Sequence, residues 1–292
     1  MTAAALLLPL CLQTVGDGLV RSPVSVANMN GAIDSTMDAQ GPIYLDHDDT
    51  LGAGASNANL LAQTTDETLQ TATGVSLAVR ANTVVAAFSY GLTDQLDASL
   101  VLPIIQEQVT GTVTGPLTGH TSVTFAGPSD LGVRLKYRLL PGLAATLKAT
   151  FPTGDHATGL GAGAYFLSPG VAASTLLGPV QVNAMVAYNV NLSYTDHSSV
   201  SYGVGLATLV PPVPWLGAAV EFLGESGTGA VDPLVFFGTD YSQRHLLAVA
   251  FGLRAKLSPH WMVFAAGSYT INHEGGLRDS SVFPTLGVGG NF

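Results

Sequence analysis

Charge is scarce in this sequence. Lysine, arginine, aspartate and glutamate make up 10% of its 292 residues, against about 25% in an ordinary soluble domain. A water-covered domain of this size needs more charge on its surface, so a conventional soluble globule is excluded. Long apolar runs are also missing. A membrane-spanning helix needs about 18 or more apolar residues in succession. The nearest stretches, 3–12 (AAALLLPLCL) and 209–220 (LVPPVPWLGAAV), fall short, and prolines break the second. Cys11 is the only cysteine, which excludes a disulfide framework and a cysteine-based zinc site. Ten Lys and Arg stand against twenty carboxylates, giving a net charge of -10. Nucleic-acid binding requires a basic patch, so nucleic acid is excluded as a partner.

What remains is apolar and glycine-rich: 47% hydrophobic residues and 34 glycines. A charge-poor chain of this kind, with no spanning helix, points to a membrane β-barrel, in which lipid-facing and lumen-facing residues alternate. Period-2 alternation is plain at 131–139 (LGVRLKYRL). There Leu131, Val133, Leu135, Tyr137 and Leu139 oppose Gly132, Arg134, Lys136 and Arg138. Segments 143–151, 180–192 and 249–257 repeat the pattern. Weaker alternation runs through 82–92, 95–107, 163–177, 198–210, 213–225, 260–271 and 280–292. A further strand is needed for an even count, either 24–33 (VSVANMNGAI) or 69–80 (LQTATGVSLAVR). The expected fold is all-β, an antiparallel transmembrane barrel of about twelve strands, with ten or fourteen as alternatives.

Connection lengths support this. Bacterial barrels have short periplasmic turns and longer external loops. Short links at 92–95, 140–142, 178–179, 211–214 and 258–260 alternate with long ones near 108–127, 153–162, 193–198, 226–241 and 272–279. A β-sandwich has no reason to keep that parity. The chain ends on Phe292, an aromatic terminus of the kind outer-membrane assembly machinery reads. At the other end, 3–12 has the length of a signal-peptide core, without a basic flank or a clear cleavage site. Residues 1–22 are read as an atypical or truncated signal segment, with a disordered or weakly buried segment as the alternative. Residues 23–292 are read as the barrel, its first strand lying within 23–80.

On these strand phases Arg134, Lys136, Arg138, Lys148, Arg254 and Lys256 face the lumen, as do Asp97 and Glu221. Glu225 shares the phase of Glu221. A charge on the lipid face would cost about 2–4 kcal/mol at mid-membrane, so inward placement is forced. The polar side of 181–191, with Gln181, Asn183, Asn189 and Asn191, shares that lumen. Two readings are open for the charges: ion pairs that brace a narrow barrel, or a basic constriction that favours anions such as carboxylated aromatics. The asparagine face lines a water path or fills the lumen by hydrogen-bonded packing.

Enzymatic patterns are weak. His197 with Ser198 or Ser199, and His273 with Glu274, are the candidate dyads. All sit in expected external loops without an orienting pattern, and immediate neighbours on a strand point to opposite faces, so no enzyme is expected. His120, His156, His197 and His273 lack metal-ligand spacing. The glycine strings at 159–163 and 287–290 do not lead a strand into a helix, as a phosphate cradle requires. No cofactor is expected.

Several segments carry a family resemblance: GLTDQLD (91–97), LGVRLKYRLL (131–140), FPTGD (151–155), GLGAGAYFLSPGVAAS (159–174) and GLRD (276–279). Over about residues 80–292 the chain resembles the phenol MetA degradation family, outer-membrane barrels linked to the meta-pathway of phenol degradation and distantly compared with fatty-acid and aromatic-hydrocarbon channels. The resemblance implies a bacterial outer-membrane location, the lipid bilayer as partner, and passage of small hydrophobic or aromatic solutes. Loops 108–127 and 226–241 would then gate access. The competing expectation is a structural or adhesion barrel whose lumen is closed by side chains and an inward-folded N-terminal segment.

Overall fold

A computed structural model describes residues 33, 39–70, 75–113, 119–158, 160–193, 198–227, 245–273 and 282–292. Among them the strands are, in chain order, β1 (Ser56–Gln70), β2 (Val75–Gly91), β3 (Leu96–Val113), β4 (Gly119–Pro128), β5 (Leu131–Leu140), β6 (Leu143–Phe151), β7 (Phe166–Leu177), β8 (Val180–Asn191), β9 (Ser199–Val210), β10 (Val213–Gly227), β11 (His245–Lys256), β12 (Trp261–His273) and β13 (Val282–Asn291). All pairings are antiparallel. β1 bonds to both β2 and β13, which closes the sheet on itself. At the seam Ser56 and Phe292 exchange backbone hydrogen bonds of 3.1 and 2.9 Å.

β4 and β5 together occupy one position in the wall. β3 pairs with β5 over Leu96–Val101 and with β4 over Ile104–Val113. The barrel therefore has twelve wall positions, as the sequence suggests. The interruption falls at Ser129–Asp130, and the segment after β6 laces it. The Thr153 hydroxyl accepts the N–H of Leu131 at 2.9 Å and donates to the carbonyl of Ser129 at 3.1 Å. The buried Asp130 carboxylate accepts N–H groups from Gly154 at 2.9 Å and Ala162 at 2.7 Å. The PTGD stretch thus satisfies backbone groups that the missing ladder leaves behind.

The first strand is Ser56–Gln70. It lies within the expected 23–80 window but is neither of the two segments favoured by alternation. Segment 69–80 is divided: Leu69 and Gln70 end β1, and Val75–Arg80 begin β2. β1 has weak contrast between its faces. Asn57, Asn59, Gln63 and Thr65 point inward beside Leu61, and Leu60 points outward between small Ala58 and Ala62. Of 24–33, all but Ile33 lies outside the described residues, as do 1–22 and Cys11.

The expected external loop at 108–127 is mostly strand. β3 continues to Val113 and pairs back onto β2 as far as Val75, while β4 begins at Gly119. Valine and threonine alternate through this stretch, and such residues favour strands; their glycine neighbours suggest a loop only by composition. A tilted spanning strand needs about 9–11 residues, so β3, at 18, extends beyond the bilayer. The remaining residues of that connection, 114–118, lie outside the described residues, as do 194–197, 228–244 and 274–281. The short links fall where expected, and Gly142 and Gly178 have φ of +86° and +63°. That left-handed conformation suits tight hairpins and costs glycine little.

The outer face is a belt of Leu, Val and Phe. At the short-turn end it carries exposed Tyr90, Tyr137, Trp215, Trp261 and Phe292. Trp261 and Phe292 meet edge to face at 6.1 Å. An aromatic girdle marks a membrane–water interface of an outer-membrane barrel. It places the short turns, and both ends of the barrel sheet, on one side of the bilayer.

Candidate functional site

The lumen is not empty. Residues 39–51 run inside the short-turn half of the barrel. They rise past β10 at Ala39, reach their greatest depth at Ile43–Asp46, and return to the turns by Thr50. Ile43, Tyr44, Leu45 and Asp46 are all buried. The side chains of Ile43, Tyr44 and Leu45 join Leu61, Val85, Val101, Ala207, Leu223 and Phe264 of the wall in one apolar cluster. A barrel this size leaves interior space that side chains must fill. Here a chain segment fills it.

The wall is shaped for that segment by glycine. A Cβ on Gly205 would lie 2.9 Å from the Leu45 side chain. A Cβ on Gly203 would collide with the same leucine, one on Gly252 with Ile43, and one on Gly217 with the carbonyl of Ala39. Three consecutive strands, β9 to β11, thus turn glycine inward where the segment presses closest. Interior strand glycine weakens a strand and often marks close backbone approach.

Glu221 is the main polar anchor. Its carboxylate, inward on β10 and 2% exposed, accepts the backbone N–H groups of Ile43, Tyr44 (2.9 Å) and Leu45 (3.1 Å). Three donors converge on one acceptor group, which satisfies backbone that could not otherwise enter an apolar interior. The Tyr44 hydroxyl lies 3.3 Å from that of Thr285.

A second anchor is ionic. Asp46 Oδ1 lies 2.5 Å from Arg134 Nη2, with both side chains almost fully buried. Lys148 is the cross-strand partner of Arg134 and lies within electrostatic reach of Asp46. One step along β5, Lys136 pairs with Asp97 of β3 at 3.9 Å. Arg254 packs against Gly41, its Nη1 2.7 Å from where a Cβ would stand. Further bonds tie the segment to the rim. Asp48 accepts from the Ser174 hydroxyl and from the Gly142 N–H at 2.9 Å. The Thr50 hydroxyl donates to the Asp94 carbonyl at 2.9 Å, the Leu51 N–H to Asp97 at 3.3 Å, and the Gln40 amide to the Pro179 carbonyl at 2.8 Å.

Of the residues singled out from sequence, Asp97, Arg134, Lys148, Glu221 and Arg254 surround the inner segment, and Lys136 sits beside them. Arg138 and Lys256 lie at the rim, where Arg138 donates to the Asp94 carbonyl at 2.8 Å. The polar face of β8 bonds mainly to itself and to β9, with Asn183 beside Ser174, the partner of Asp48. Gln181 donates to Asn183 at 2.9 Å, Asn189 bonds Ser199 and Ser201 at 3.1 and 2.7 Å, and Asn191 accepts the Ser193 N–H at 3.0 Å. Ser199 in turn donates to Glu225 at 2.8 Å. His197 and Glu274 lie outside the described residues. Among the described residues no cluster of His, Cys, Asp and Glu could hold a metal ion. The sequence reading missed Ile43, Tyr44, Leu45, Asp46 and Asp48. The available signal was the run of inward glycines on β9–β11, which leaves unfilled space in a barrel interior.

Residues 48–288 match the family described as "Putative MetA-pathway of phenol degradation". The chain belongs to that family. The MetA-pathway match begins at Asp48, so Gln40–His47 precede it. No curated protein matches the chain. Among solved structures, an outer membrane channel from Pseudomonas putida F1 is similar at 19% identity and a TM-score of 0.58, covering 84% of this chain and 98% of that one. The translocator domain of the autotransporter NalP from Neisseria meningitidis has a TM-score of 0.47 at 12% identity, covering 99% of this chain and 96% of that one. The CymD monoaromatic hydrocarbon channel has 0.46 at 10%, with coverage of 95% and 93%. The likeness to the Pseudomonas structure supports the fold: this MetA-pathway family member is an outer-membrane β-barrel.

Proposed function

We propose that this protein is a gated channel through which small hydrophobic or aromatic solutes cross the outer membrane down their gradient, with residues 39–51 as the gate. The observation that carries this reading is the seat. Glu221 gathers three N–H groups of the segment, and glycines on three strands leave room for it. The segment meets the wall through side-chain hydrogen bonds, an ion pair and apolar packing and takes no part in the strand pairings, so it can leave without breaking the wall's ladders. Its departure would expose Arg134, Lys136, Lys148, Glu221 and Arg254 along the path, with Arg138 and Lys256 at the rim. Family membership and the channel from Pseudomonas putida F1 support the same reading. Passage of this kind makes and breaks no bonds and uses no catalytic group. Phe292, bonded at the seam, is the natural handle for assembly machinery.

The filled lumen also fits a closed structural barrel, and flux separates the two. Liposomes holding the full chain are compared with liposomes holding the Glu221→Gln variant, using a neutral aromatic such as phenol. Faster uptake with the variant supports the channel. Uptake equal to that of protein-free liposomes in both cases supports the closed barrel.

A further inference from the structure

We propose that Arg134 and Lys148 form a binding site for a small carboxylate with an apolar body, and that Asp46 occupies this site in the closed state as a built-in stand-in. The inference rests on the channel reading and names the chemistry of its solute.

Arg134 on β5 and Lys148 on β6 are directly opposed and both point inward. Like charges directly across a ladder repel. On its other side Arg134 faces Ser99 of β3, which is neutral. The next cation along, Lys136, has Asp97 of the wall across from it at 3.9 Å. Wall register thus supplies a carboxylate opposite Lys136 and places Ser99 and Lys148 beside Arg134. A carboxylate on Arg134 comes from the movable segment, as Asp46 at 2.5 Å. When the segment leaves, that carboxylate leaves with it. Two like charges directly across the ladder then favour an anion in its place.

The chemistry favours a carboxylate. The guanidinium fork matches a planar two-oxygen group, and one oxygen of the Asp46 carboxylate already meets one arm of it. The surroundings favour an apolar body. The Asp46 N–H rests on the Met185 sulfur at 3.4 Å, and Met185 and Val101 belong to the apolar cluster that holds Ile43, Tyr44 and Leu45. A benzoate-like molecule offers both parts.

The test uses full-length protein in detergent, with barrel integrity read from heat-dependent gel mobility. Calorimetric titration with sodium benzoate, benzyl alcohol and inorganic phosphate is run on the natural chain and on Asp46→Ala. Removing the stand-in is expected to strengthen benzoate binding at least tenfold and leave benzyl alcohol unchanged. Adding Lys148→Gln to Asp46→Ala is expected to reverse the gain, as is adding Arg134→Gln; the lysine variant covers the case in which the arginine variant does not fold. An equal gain for benzyl alcohol or for phosphate overturns the carboxylate assignment, and so does no gain for benzoate. Planar bilayers keep the two readings apart. Conductance by Asp46→Ala without benzoate binding refutes this site and spares the channel. Benzoate binding without conductance in any variant refutes the channel and spares the site.

Discussion

The carboxylate of Glu221 and the backbone N–H of Tyr44 meet at 2.9 Å inside the barrel, and the N–H groups of Ile43 and Leu45 turn to the same side chain. A hydrogen bond to a charged group contributes about 1.5–3 kcal/mol. Glu221→Gln removes the charge and points an amide donor at backbone donors. Loss of about 2 kcal/mol corresponds to a release of the segment roughly thirtyfold more often. Chymotrypsin is expected to cut after Tyr44 more than tenfold faster in the variant, while the barrel fragment persists. A time course on denaturing gels checks this.

Steric release should work as well as electrostatic release. A Cβ at Gly205 would lie 2.9 Å from both Leu45 and Glu221 side chains. Gly205→Val suits the strand itself, because β-branched residues favour strands. Overpacking costs about 1–3 kcal/mol and here falls on the inner segment. Hydrogen exchange is expected to speed up at Ile43–Asp46 while the amides of β9 and β10 keep their protection.

The buried pair of Asp46 and Arg134 should show coupling. Removing one partner of a buried ion pair costs about 3–5 kcal/mol, because the other charge is left uncompensated. Asp46→Asn and Arg134→Gln are each expected to lower the urea midpoint of the folded protein. The double variant is expected to lose less than the sum of the two. Strict additivity would show that the pair does not hold the segment.

Much of the wall was legible in the sequence, because lipid imposes a simple rule. Leu135, Tyr137 and Leu139 must face outward, so Arg134, Lys136 and Arg138 turn inward. The first strand, the length of β3 and the separate strand β4 escaped this rule. In β1 Leu60 stands on the outer face between small Ala58 and Ala62, so the apolar stripe is thin, and β3 runs past the bilayer, where the rule no longer applies. The occupied lumen was not legible, because no periodicity marks Ile43–Asp46. Their placement follows from partners about 90 to 240 residues away, namely Arg134, Glu221 and Thr285. The inward phase of Glu221 could be read, but its role as an acceptor for backbone N–H groups could not.

The membrane rule has its own test. Val220 is 45% exposed at the middle of β10 and faces lipid. Val220→Arg is expected to cost about 2–4 kcal/mol of folding stability in bilayers, and Val220→Leu almost nothing. Folding into lipid vesicles across a urea series checks the difference. Equal stability would place this face away from lipid.

The most direct test of a lumen closed by its own chain is single-channel recording in planar bilayers. The natural protein is compared with a Glu221→Gln/Gly205→Val double variant under identical salt and voltage. The expected result is a natural protein that is closed most of the time, and a variant with steady conductance and an open fraction at least tenfold higher. Identical traces from the two proteins would contradict residues 39–51 as the gate.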